Sequence, residues 1–305
     1  DQAGKPIVFV KDVVTKPVDT LTGIPKGVGR LFSNIGTAVS TTPKPSQESR
    51  TKEALQVGAF KRDYAARFGV DPYSSNQVLQ EELDKVANAA ALGLWTASIG
   101  TMPISGTAGT VLSVTSLSKS FNNVLKNEPP ARIRTINEDK LAQMGVDANL
   151  AKRFLDQPVY TPRQTLILVD SLYRLGKATG RDAYLNTAMA AADEVEANFF
   201  VNTAQILRGY HETQAPIRGI TMVEMLPVAQ TRATAVIPFA LDYGVWTANA
   251  DRLSQNLKTS YRAPGANGTF ELWVTGTLSP TGRREIESRG FRVMDQVGGM
   301  LDVVD

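Results

Sequence analysis

His211 is the only histidine among 305 residues, and the chain has no cysteine. Imidazole chemistry must therefore run through His211, and thiol nucleophiles, disulfides and thiolate metal sites are excluded together. A Ser-His-Asp triad is formally possible, but no G-x-S-x-G elbow occurs. The catalytic candidates that remain are His211, Asp170 and Glu212, which could act as general acid and base in a hydrolase. At the end of its helix, His211 equally suits a structural role, through the helix dipole or a buried hydrogen bond. Asp193 and Glu196 share a helix face, as do Asp170 and Tyr173, but surface helices commonly carry such pairs as a solvated stripe. One histidine leaves a zinc site short of ligands, and no D-x-D-x-D-G loop supports calcium, so no metal is expected. Gly276, Ser279 and Gly282 lie between a strand and a helix, where free amides could bind an anion. Neither this run nor Gly23 to Gly29 matches a P-loop or dinucleotide fingerprint, so no cofactor is expected.

The elements that would position these groups centre on Thr161 to Glu212. Thr161 is an N-cap residue, Pro162 fits the first helical position, and Gln164 completes a capping box. Leu166, Val169, Leu172 and Leu175 recur at helical spacing until Gly176. After a turn at Gly180-Arg181-Asp182, a second stripe runs through Tyr184, Ala188, Ala192, Val195, Phe199, Ile206 and Tyr210. This predicts a helical hairpin with one long second arm. Phe199 belongs to the buried stripe, whereas Phe200, rotated about 100° from it, is the candidate partner-binding residue.

Before the hairpin, residues 1–49 form a basic segment of short pieces ending in a linker rich in Pro and hydroxyl residues. A helix is expected from Thr51 to Phe68, stopped by Gly69, and another behind a capping box of Ser74 and Gln77. Residues 86–118 carry no charge and are rich in Ala, Gly, Ser and Thr. They read as a buried helical hairpin, with a membrane hairpin as the alternative. Asn137 and Asp147 open two further helices. After Gln214 the pattern turns to strands around Ile217–Met222 and Thr234–Phe239, then a helix capped by Asp242. A strand-helix-strand unit over Phe270–Met294 closes the chain. The fold class is mainly α, in helical hairpins or a bundle, with a smaller α+β C-terminal part. The expected divisions are 1–49, 50–214 and 215–305.

The 42% hydrophobic and 21% charged fractions suit a folded chain. Residues 1–67 hold 11 Lys and Arg against 6 Asp and Glu, so this third could meet an anionic membrane surface. Nucleic acid is not expected, because the charges are spread and not clustered. The run Ala59-Phe60-Lys61-Arg62-Asp63-Tyr64-Ala65-Ala66-Arg67-Phe68-Gly69-Val70-Asp71-Pro72-Tyr73, continued by Asn76 to Leu83, resembles a family of uncharacterised bacterial exported proteins. Gly23 to Gly29 and Glu194 to Phe200 are similar to segments of the same family. The resemblance implies a cell-envelope location, periplasmic or secreted, and a start upstream of Asp1, but no mechanism. With so few catalytic groups, the sequence points to a non-enzymatic envelope protein. Such a protein would bind a partner or small apolar ligand, form a homo-oligomer or scaffold an assembly. A membrane-associating protein and a hydrolase are the alternatives.

Overall fold

The computed structural model describes residues 50–68, 70–74, 76–91, 116–264 and 268–301. The basic segment 1–49 and most of the uncharged run 86–118 lie outside the described residues. Among the described residues, no helix is long and apolar enough to cross a membrane. The chain divides into two compact units, whose described parts are Arg50–Ile133 and Arg134–Leu301. The boundary expected at 214/215 therefore falls inside a single unit.

The first unit contains α1 (Arg50–Phe68), α2 (Gln77–Ala91) and α3 (Ser116–Asn127). Ala65 of α1 meets Leu79, Leu83 and Val86 of α2 in a small core, flanked by Tyr64, Phe68 and Val70. The cap of α2 is Asn76, whose Oδ1 accepts from the Leu79 amide at 3.1 Å. Ser74 instead accepts from the Asn76 amide at 3.2 Å, so the expected Ser74–Gln77 box gives way to a cap two residues later. Lys126 of α3 pairs with Asp63 of α1 at 2.9 Å.

The second unit holds α4 (Pro130–Gln143) from Arg134 onward, then α5 (Ala148–Leu155), α6 (Pro162–Arg174), α7 (Arg181–Ala188) and α8 (Glu194–Thr213). Asp147 caps α5, accepting from the amides of Asn149 and Leu150. Asn137 opens no helix: it lies inside α4 and is fully buried. The capping box of Thr161 and Gln164 starts α6, with Pro162 in the first turn. Every residue from Gln164 to Leu172 is buried, so α6 is enclosed on all sides rather than along one stripe.

The expected long second arm is two helices. At Asp193 the backbone turns extended and the side chain caps α8 by accepting from the Glu196 amide. The Glu196 carboxylate reaches back to the Ala192 amide at 2.8 Å and is 1% exposed. The pair read as a solvated stripe is therefore a helix start, with Glu196 buried and Asp193 half-buried.

A five-stranded sheet follows, in the order β1 (Gly219–Val223), β2 (Leu226–Gln230), β3 (Thr234–Phe239), β5 (Thr269–Val274), β7 (Phe291–Met294). A second sheet pairs β4 (Tyr243–Gly244) with β6 (Thr277–Leu278). The first three strands of the larger sheet are antiparallel, and β3, β5 and β7 are parallel. Pro227 sits inside β2 because the β2–β3 ladder covers only Ala229 and Gln230, leaving no bond at 227 for its missing N–H to break. Helix α9 (Ala248–Ser260) is capped by Thr247, not Asp242. It links β3 to β5, and α10 (Pro280–Ser288) links β5 to β7.

Successive residues of β5 point to opposite faces of the sheet. Trp273 meets Tyr210 of α8, with ring centroids 4.9 Å apart. Leu272 and Val274 turn instead toward Leu253, Leu257 and Ile286 of α9 and α10. The C-terminal part of this unit is thus helix, sheet and helix in three layers.

Candidate functional site

Asp170 and Glu212, two of the catalytic candidates, meet in one ion network across α4, α6 and α8. Asp170 is 5% exposed. Its Oδ1 lies 2.6 Å from Lys140 Nζ and its Oδ2 lies 2.7 Å from Arg174 Nε. Arg174 continues to Glu212 at 3.5 Å, and Glu212 lies 3.8 Å from the fully buried Arg208. Both oxygens of the Asp170 carboxylate are taken up by cations, so neither is presented to a substrate. The network ties three helices together and presents no nucleophile. Tyr173 faces Gln143 through a 2.9 Å hydrogen bond and does not engage Asp170.

His211 takes no part in this network. Its Nδ1 accepts from the Ile217 amide at 3.0 Å, which joins the last turn of α8 to the approach to β1. An accepting Nδ1 carries no proton, so the folded chain holds the neutral ring, and burial lowers its pKa from the ordinary 6.5. With Nδ1 accepting from backbone, the neutral ring carries its proton on Nε2, so neither nitrogen is left as a free base.

Four amides of the Gly276–Gly282 run are given to the protein itself. Gly276 and Thr277 donate to Leu241 and Asp242 carbonyls, and Ser279 donates to Gly244. The Gly282 amide donates to the Ser279 hydroxyl, which caps α10. Gly276 is required by close approach, since a Cβ there would stand 2.0 Å from the Asp242 carbonyl oxygen. The turn is a packed strand-to-helix connection, in which the amides of Gly276, Ser279 and Gly282, the residues expected to meet an anion, are bonded within the chain.

Phe200 is corrected as well. It is 0% exposed, edge-on to Tyr184 at 5.9 Å and to Phe199 at 5.4 Å. Phe199 in turn meets Phe239 of β3 at 5.9 Å. Two adjacent aromatics fit because α8 is covered on two sides, by α7 and by the sheet. The flank offers no partner surface.

The feature that no sequence pattern announced is a cavity of about 60 Å³ between the sheet and the pair α9 and α10. Ile237, Phe239, Leu272 and Val274 supply its floor, and Leu253, Leu257 and Ile286 its roof. Gly244, Ala250 and Gly282 also line it, and the two glycines are closely packed, a Cβ at Gly244 standing 2.6 Å from Leu278 Cδ2 and one at Gly282 3.0 Å from Ser279 Oγ. Val245, Trp246, Ala250, Leu278 and Ile286 are only half-buried, so the cavity opens to solvent along their rim. Its one side-chain hydroxyl, on Ser254, donates to the Asp251 carbonyl at 2.7 Å and is turned to the helix backbone. Above Trp246 the Arg289 guanidinium stacks at 4.5 Å from the ring centroid. Such a cavity can hold hydrocarbon but has no group in place to catalyse or to coordinate. Among the described residues, no cluster of three His, Asp or Glu side chains could hold a metal ion.

No protein-family model, curated protein or solved structure matches this chain.

Proposed function

We propose that this protein is a non-enzymatic binding protein of the bacterial cell envelope, which holds a small apolar ligand between its sheet and α9 and α10. The observation that carries the reading is the cavity of about 60 Å³, walled by apolar side chains and open at one rim. Apolar wall left against water there would be covered by an apolar occupant, gaining about 25 cal/mol per Å². Water gains little there, since it needs polar partners that the wall does not supply. The envelope location rests on the resemblance of residues 59–83 and 194–200 to exported proteins. The charged groups support the same choice: Asp170, Glu212 and His211 each serve a structural tie.

The test is chemical. Protein purified without detergent from the cells that make it is extracted with organic solvent, and the extract is analysed by mass spectrometry beside that of Ala250→Leu, which fills the cavity. The reading expects an apolar compound in near-stoichiometric amount in the native protein and its loss in the variant. Equal extracts from the two proteins would overturn it.

A further inference from the structure

We infer that the group this cavity takes is the end of an unbranched hydrocarbon chain, recognised without regard to the polar head at its other end. The inference rests on the apolar-ligand reading above and adds the shape and selectivity of the ligand.

Shape follows from volume. A cavity of roughly 150 Å³ takes a benzene ring, and the present one, at about 60 Å³, is less than half that size. A ring does not enter without moving the floor, where Ile237 is fully buried and Val274 likewise. A chain end is narrower and enters by its methyl terminus, and each methylene removed from water gains the same increment.

Selectivity follows from the rim. The Arg289 guanidinium stacks over Trp246, a lining residue of the rim, and is engaged by carboxylates. Its Nε donates to Asp251 Oδ1 at 3.0 Å, and its Nη1 donates to Glu285 Oε2 and to the Glu285 carbonyl, each at 2.8 Å. The other oxygen of Asp251 accepts from Gln255 at 3.0 Å. Cation and carboxylates thus satisfy one another across α9 and α10. Arg289 is spent on two carboxylates and Asp251 on Gln255 as well, so these side chains are held by one another and not by a head group, and the tail alone is read.

The experiment titrates the whole protein with hexanol, hexanoate and hexylammonium, which share a tail and differ in head charge, and with benzyl alcohol as the ring comparison. The methyl resonances of Leu253, Leu272 and Ile286 report binding by NMR. The expected result is that all three hexyl compounds shift the same methyls, with dissociation constants within about threefold of one another, and that benzyl alcohol binds more weakly than hexanol. A wider spread among the hexyl heads, or benzyl alcohol binding as tightly as hexanol, overturns the chain-end inference and leaves the apolar-ligand reading standing. No shift with any probe overturns both.

Discussion

His211 Nδ1 accepts the amide hydrogen of Ile217 at 3.0 Å, so the single imidazole of this chain works as a backbone acceptor. Protonation would remove that acceptor. Burial lowers the ring's pKa from 6.5, so between the folded value and 6.5 the unfolded chain binds more protons than the folded one. Stability owed to His211 is therefore fully present above pH 6.5 and declines as pH falls through 6.5 toward the folded value. Urea unfolding across this window should show the decline in the native protein and a flatter profile in His211→Gln. At neutral pH the substitution should cost about 0.5–1.5 kcal/mol, as expected for one hydrogen bond. A profile unchanged by the substitution would refute this role.

Phe199 and Phe200 are both interior, 3% and 0% exposed. Truncating either to Ala should cost about 3–5 kcal/mol. Urea unfolding followed by tryptophan fluorescence checks both. A small loss at Phe200 would mean that it sits on a surface after all.

Gly209 lies within α8 against the end of the described chain. A Cβ built there would stand 2.5 Å from the Leu301 carbonyl oxygen and 2.6 Å from its Cβ. In an exposed helix, Gly→Ala gains about 1 kcal/mol. Here the sign should reverse, with Gly209→Ala losing about 1–3 kcal/mol through overpacking. Faster amide exchange at Val297 and Leu301, whose own hydrogen bonds hold this segment, would accompany the loss. A stabilised variant would contradict the contact.

Asp170 and Glu212 belong to one ion network but should not be equivalent. Asp170 has an 8% exposed side chain between Lys140 and Arg174, whereas the Glu212 side chain is 39% exposed. Asp170→Asn should cost about 2–4 kcal/mol, since it strands two cations beside a buried position. Glu212→Gln should cost under about 1 kcal/mol. Equal losses in urea unfolding would show that the network shares its load evenly.

Where local chemistry decides an element, the sequence was a sound guide. Thr161, Pro162 and Gln164 begin α6 as their types require, Asp147 caps α5, and Ser279 caps α10. The parallel strand-helix-strand unit was legible because β5 and β7 are apolar runs separated by a capped amphipathic helix. What failed depended on neighbours distant in sequence. The stripe from Tyr184 to Tyr210 continues smoothly across Asp193, yet a cap there competes with helix propagation and wins, because Glu196 turns inward to satisfy the Ala192 amide. One-stripe geometry puts Phe200 on an open flank, yet Tyr184 of α7 covers it while Phe199 meets Phe239 of the sheet. The cavity left no trace in sequence. Its walls come from β3, β5, α9 and α10, which no single stretch of sequence brings together.

The central claim is that this cavity holds hydrocarbon in the folded protein, and linkage tests it most directly. A ligand bound only to the folded state raises unfolding free energy by about 1.4 kcal/mol for each tenfold rise in free ligand beyond saturation. Urea unfolding with increasing hexanol should show that rise in the native protein at concentrations too low to act as a solvent, and no rise in Ala250→Leu. An equal response in the two proteins, or none in the native one, would contradict the account.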